Sequence, residues 1–359
     1  MTSAIHLLSK PVDKRTKQDL IEMIRCAIKL EHATLPPYLT AMWSITDKKH
    51  PAYKILRSIV YEEMGHFGTV CNLLTTIGGT PAITDKDFVP DYPTRLPCDI
   101  YPKVKPPNVI EWTVGLSRLT AAVVSDVFMI IEYPEKGPVE LLIAFADVTR
   151  VRYHTIGEFY DGLAETLQHL LKSGAVTITG QKQLSEPFTG HDENQQNVLK
   201  PITSPKEAFE AIEHIKEQGE GTPTTPDTPA FGNELAHYYK FKQIQVGRNF
   251  VQLANKNWSL SGDFFDFPAV YPMADIPKGG YPAAGLPPHV ADLLGKFNGD
   301  YKKILSLLQS AWEKGGDPGQ QDLSSAEILM DGLGSNAIEL MKIPIGPNKG
   351  NYGPTFQVG

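Results

Sequence analysis

The sequence predicts an all-α fold, on three observations. Apolar residues recur at spacings of three and four over long stretches, no alternating strand pattern runs for more than a few residues, and Gly/Pro-rich segments separate the periodic stretches. With 359 residues, 41% hydrophobic and 21% charged, the chain has the composition of a globular protein with a substantial core, which excludes disordered and fibrous classes. A net charge of −7, from 34 basic against 41 acidic residues, leaves no positive surplus for a phosphate backbone, so nucleic acid is not an expected partner.

Asp13 to Trp43 reads as the first long helix, with Leu20, Ile24, Ile28, Glu31 and Leu35 along one stripe. Pro36-Pro37 is expected to kink it or end its first part. The second helix, from about Ala52 to Ile77, aligns Leu56, Ile59, Glu63, His66, Phe67, Val70 and Leu74 and stops at Gly78-Gly79. After a Pro/Asp/Tyr-rich connection over 80–110, a third helix is expected from Val109 to Tyr133. It is almost wholly apolar between Leu116 and Ile131, should be buried on most sides, and closes at Pro134. Its apolar run is broken by Asp126 and falls well short of the roughly 20 residues of a bilayer span, so no membrane association is expected. A fourth helix, Glu140 to Ser173, has Ile143, Val151, Glu158 and Leu167 among its periodic positions. Loops at 174–204 and 219–230 flank a short helix, Pro205 to Gln218, and another helix, Gly232 to Asn255, carries Glu234, His237, Phe241, Ile244 and Val251. Beyond the loop Asp263 to Pro288, helices His289 to Glu313 and Ser324 to Met341 precede a Gly/Pro tail.

Two Glu-x-x-His motifs carry the chemistry, Glu63-Met-Gly-His66 and Glu234-Leu-Ala-His237. Positions i and i+3 of a helix share a face, so each pair can offer a carboxylate oxygen and an imidazole nitrogen to one metal. All four residues fall on apolar stripes, where a charge is costly unless it is paired or bound to a metal. Glu31 and Glu158 hold equivalent positions on two other helices. One Glu from each of two helices and one Glu-x-x-His from each of two more is the ligand set of dimetal-carboxylate bundles, here Glu31, Glu63, His66, Glu158, Glu234 and His237. Four carboxylates offset two divalent ions and two neutral imidazoles complete the shell, so the expected cofactors are two divalent metals, iron first, with manganese and zinc as alternatives. The order of the ligands fits a ferritin-like four-helix bundle whose long crossover contains an extra buried helix. That bundle is expected over 12–258, with 259–359 as a C-terminal loop and helical extension packed on it. The competing reading makes each glutamate a partly exposed helix residue and each Glu-x-x-His a local hydrogen-bonded pair.

Other residues leave alternatives open. Glu62 is about 100° around the helix from Glu63 and is expected in solvent or behind a ligand. Glu132 ends the apolar helix and either caps it near Tyr133-Pro134 or adds a ligand. Asp126 and Arg118 are either a structural ion pair or groups that orient a histidine or a substrate carboxylate. Tyr38, Tyr160 and Tyr238 lie near the ligands, in the core or along a pocket. His32, His154 and His169 lack a partner pattern and are expected at the surface or behind ligands. Cys26, Cys71 and Cys98, odd in number and in no metal-ligand spacing, read as free thiols. The first ten residues have neither a basic stretch nor a long apolar one, so no secretory signal and a cytoplasmic location are expected.

At Glu31-His-Ala-Thr-Leu-Pro-Pro-Tyr38, Glu62-Glu-Met-Gly-His-Phe67, Thr155-Ile-Gly-Glu-Phe-Tyr160 and Glu234-Leu-Ala-His-Tyr-Tyr-Lys-Phe241, the chain resembles the ferritin-like iminophenyl-pyruvate dimer synthase family. The likeness continues through Phe267-Pro268, Val270-Tyr-Pro-Met273 and Gly353-Pro-Thr-Phe356, nearly the whole chain. That family includes modules of the enzymes that oxidatively couple imines of aromatic 2-oxo acids on the way to violacein- and chromopyrrolate-type bisindoles. Those chains are much longer; this one corresponds to the ferritin-like module with a C-terminal extension. The resemblance implies Glu31, Glu63, His66, Glu158, Glu234 and His237 as metal ligands. The expected function is a di-iron oxidase that uses O2 or peroxide on a small, aromatic, nitrogen-containing metabolite. Its rivals are an iron- or peroxide-handling protein without an organic substrate and a non-catalytic scaffold, and an oligomer is compatible with each.

Overall fold

The computed structural model describes residues 4–102, 104–106, 109, 111–134, 155–185, 199–220, 226–227, 234–254 and 257–358. Among these the architecture is helical apart from a two-stranded antiparallel ribbon, β1 (Val251–Gln252) against β2 (Trp258–Ser259). After a short α1 (Ala4–Ser9), α2 (Lys17–Ser44) opens on a capping box in which Thr16 and Asp19 satisfy each other's backbone N–H groups. α2 then runs through Pro36 and Pro37 without the expected break. Pro37 has no N–H for the carbonyl of Ala33, and the Tyr92 hydroxyl donates to that carbonyl instead, at 2.8 Å. α3 (Pro51–Thr76) starts with Pro51 in its first turn and ends before Gly78, whose φ of +80° stops it as expected.

The third helix is much shorter than Val109 to Tyr133. It consists of α4 (Ala121–Val123), a π turn (Val124–Phe128) and α5 (Met129–Ile131), capped by Thr120, whose hydroxyl accepts from Val123 N at 3.1 Å. The residues before it are non-helical and tied down by a bridge between Thr94 and Val114. The π turn and α5 pack on α8 (His237–Val246), which packs on α3, and α3 packs along α2. The segment expected as an extra crossover helix therefore stands in the bundle itself. α6 (Ile156–Lys172) lies against α2, and α7 (Pro205–Glu220) lies over α3, α6 and α8. Residues 140–154, the first half of the predicted fourth helix, lie outside the described residues.

α9 (Pro288–Lys314) and α10 (Gly316–Met341) form a hairpin that turns on Gly315, and α10 docks on α2. At Gly315, φ is +65° and a Cβ would stand 2.3 Å from the Lys182 backbone, so only glycine fits there. Their apolar faces join the same core as the bundle, with Trp43 of α2 packed against the contacting pair Phe297 and Phe356. Cys26 of α2 is disulfide-bonded to Cys98, which corrects the expectation of three free thiols; the 72-residue separation hid their proximity. Cys71 is free and buried. None of the described helices is long and apolar enough to cross a membrane.

Candidate metal centre

Glu31 of α2, Glu63 and His66 of α3, Glu132 just past α5 and His237 at the start of α8 converge in the core, each at most 6% exposed. Two groups of three could each hold a metal ion: Glu31, Glu63 and His66, and Glu63, Glu132 and His237. Glu63 belongs to both. The three carboxylates share one arrangement, in which one oxygen accepts from a hydroxyl and the other faces an imidazole Nδ1. Tyr160 donates to Glu31 Oε1, Thr34 donates to Glu63 Oε2 at 2.9 Å, and Tyr38 donates to Glu132 Oε1 at 2.6 Å. Glu31 Oε2 is 3.4 Å from His66 Nδ1, and Glu132 Oε2 is 3.7 Å from His237 Nδ1. Glu63 Oε1 lies between them, 3.9 Å from His66 Nδ1 and 2.8 Å from His237 Nδ1.

The outer nitrogens of both rings are also engaged. His237 Nε2 is 2.9 Å from Glu62 Oε2, and His66 Nε2 is 2.7 Å from Gln218 Oε1. Burial alone would raise the Glu62 carboxyl, but Lys240 and His237 beside it hold it down to about 2, so it is an ionised acceptor and His237 Nε2 is the donor. Hydrogen-bond partners of this kind fix the tautomer and aim of a metal-binding histidine. Glu62 therefore sits buried behind a ligand rather than in solvent, because α8 covers that side of α3.

The residues fit a pair of metal ions. His237 Nδ1 is buried and has no hydrogen-bond partner although Glu63 Oε1 is only 2.8 Å away. Among the described residues, the ion pairs to Glu31, Glu63 and Glu132 come from histidine and not from lysine or arginine. Burial disfavours the charged forms of His237 and His66, but the adjacent carboxylates outweigh it and raise both above the ordinary imidazole value. Burial, then the charges of Glu132 and Glu31, push Glu63 up against the opposing pull of His237. Three buried carboxylates aimed at two inward imidazole nitrogens form a donor set that divalent cations satisfy.

Two of the six predicted ligands lie elsewhere. Glu158 is exposed at the third position of α6, where its carboxylate completes a capping box with Thr155, so it faces the helix end and not the site. Glu234 precedes α8, which begins at His237, so the i, i+3 face that would bring Glu234 beside His237 does not exist. Its carboxylate lies 3.7 Å from Lys240 Nζ. Glu132 occupies the place expected of Glu158. Asp126 is exposed and accepts from Ser125, while Arg118 donates to the Met273 carbonyl; neither reaches the site. His32 is buried and hydrogen-bonded to Tyr301 rather than at the surface, and His154 lies outside the described residues.

A cavity of about 30 Å³ adjoins the cluster, with Leu30, Ile131, Ile156 and Ile215 as apolar walls and Lys216 and Gly219 of α7 at its rim. Its volume suits a molecule the size of water or dioxygen.

The sequence profile of the ferritin-like family matches residues 24–246. The crystal structure of a ferritin-like protein from Caulobacter vibrioides is similar in fold, with a TM-score of 0.64 at 24% identity over 96% of this chain and 99% of that one. No curated protein matches the chain.

Proposed function

This chain belongs to the ferritin-like family, and from that premise we propose that it is a di-iron oxidoreductase using O2 or peroxide on a small metabolite. The observation that carries the proposal is Glu63, whose carboxylate is common to both groups of candidate ligands. In this reading Glu31 and His66 hold one metal, Glu132 and His237 the other, and Glu63 serves both. Two irons, when bound, would supply the electrons and the Lewis acidity for reducing dioxygen or peroxide. The protein's own groups do the rest. Tyr160, Thr34 and Tyr38 hold one oxygen of each carboxylate, so the other oxygen keeps its aim without reorganisation. Leu30, Ile131, Ile156 and Ile215 keep bulk water from the reacting face. The motif resemblance favours an aromatic 2-imino acid, undergoing oxidative coupling, as the organic substrate.

A second reading, iron or peroxide handling with no organic substrate, is favoured by the cavity of about 30 Å³, too small for an aromatic ring. It predicts that iron oxidation continues past two ions per chain, whereas the oxidoreductase stops there unless substrate is supplied.

Metal analysis of the purified chain tests both. About two transition-metal ions per wild-type chain are expected. Glu63→Ala should lose both and Glu158→Ala neither. A metal-free wild type, or Glu63→Ala with full metal content, would sink the proposal.

A further inference from the structure

Resting on the dimetal reading above, we propose that Gln218 is a positioning residue for the His66 metal site, and that through it the last turn of α7 becomes part of the metal centre. α7 bears no ligand. It nevertheless packs on α3, α6 and α8, and its C-terminal end brings Ile215, Lys216 and Gly219 to the lining of the cavity. Gln218, 4% exposed, places Oε1 2.7 Å from His66 Nε2. An amide oxygen only accepts, so the ring proton sits on Nε2 and donates. In the neutral ring Nδ1 is then left bare, facing Glu31 Oε2 at 3.4 Å and Glu63 Oε1 at 3.9 Å. This is the tautomer a metal bound at Nδ1 requires.

The next residue explains how α7 comes so close. A Cβ on Gly219 would stand 3.2 Å from Glu132 Oε2, tighter than ordinary contact. One helical turn therefore hydrogen-bonds a candidate ligand of one group, His66, and lines the same cavity as a candidate ligand of the other, Glu132, with room there for a glycine.

The two histidines are backed by different chemistry. His237 Nε2 faces the carboxylate of Glu62, which also pairs with Lys240, and His66 Nε2 faces the amide of Gln218. A carboxylate acceptor raises the basicity of the ring more than an amide does, so the two metal sites are unequal and the one at His66 is the weaker.

The test uses the full chain, stripped with chelator and titrated with Co²⁺ alone, following d–d absorption and metal per chain. Wild type should show two unequal sites. Gln218→Leu should weaken the weaker site by about 10–100-fold and leave the other unchanged. Gln218→Glu, which keeps the acceptor, should restore or tighten it. Packing alone predicts the opposite order, because leucine suits an apolar contact and a buried carboxylate does not. Leucine binding like wild type, or glutamate binding worse than leucine, overturns the assignment while wild type still takes two ions. A wild type that takes no Co²⁺ overturns the dimetal reading and the assignment with it. Far-UV circular dichroism of the stripped variants checks folding, and Gln218→Met carries the same prediction should leucine fail to fold.

Discussion

Tyr160 donates its only hydroxyl proton to Glu31, and Tyr38 donates its own to Glu132. Burial, then the nearby carboxylates, push both phenols well above their ordinary value, so both remain donors at any pH the fold tolerates. Tyr160→Phe leaves a buried carboxylate oxygen without its donor, and a hydrogen bond to a charged group contributes roughly 1.5–3 kcal/mol. Metal binding at the Glu31 group should fall at least about tenfold by the same Co²⁺ titration, and Tyr38→Phe should do the same at the Glu132 group. Unchanged binding in both variants would make these hydroxyls core groups and no more. At this scale the sequence was partly legible. Glu31, Glu63, His66 and His237 stood out because a charge on an apolar stripe needs a partner, and all four are buried together. Glu158 misled, although its own signature was readable: Thr155-Ile-Gly-Glu158 is a capping box, the pattern that Thr16 and Asp19 repeat on α2. Glu132 had a signal too, as a lone carboxylate at the end of an apolar run.

The π turn explains why periodicity could not place Glu132. The helix begins only at Ala121, and one extra residue in a turn then shifts the phase of everything after it by about 100°, so a regular 3.6-residue period does not place the face on which Glu132 falls. α8 hid its geometry in a similar way, since its helical pattern continues upstream of His237 in sequence but not in the backbone. The start of α2 is better specified, and it titrates. Partial burial raises the Asp19 carboxyl, but hydrogen bonds from Lys10 and Thr16 outweigh it and hold it below its ordinary value. A depressed carboxyl contributes stability above its unfolded value, and that contribution disappears as pH falls through the folded one. Asp19→Asn should therefore cost roughly 0.5–1 kcal/mol near neutral pH, with the gap to wild type closing below about pH 4. Thermal unfolding at pH 7 and pH 3 decides: a gap that is the same at both would show that the carboxylate charge contributes nothing.

α2 joins the halves of the molecule. Glu31 faces the cluster of candidate ligands, while its neighbour His32 hydrogen-bonds Tyr301 of α9 at 2.7 Å, and burial pushes that imidazole down to about 3, leaving it neutral. Docking of the C-terminal hairpin is thus registered one residue away from a candidate ligand. The seam is close where α10 passes Trp43: a Cβ on Gly334 would lie 2.7 Å from the indole nitrogen, and the ring packs against Phe297 and Phe356. Two glycines of the same helix therefore behave oppositely. At Gly332 an added methyl would meet nothing within 4 Å, so Gly332→Ala keeps the whole helix-propensity gain of up to about 1 kcal/mol and should raise Tm. Gly334→Ala gains the same propensity but overpacks against the buried indole, at roughly 1–3 kcal/mol, and should lower Tm. Equal increases in both variants would mean that the indole gives way freely, and that the hairpin is held to the bundle by the Tyr301 end of the seam rather than by Trp43.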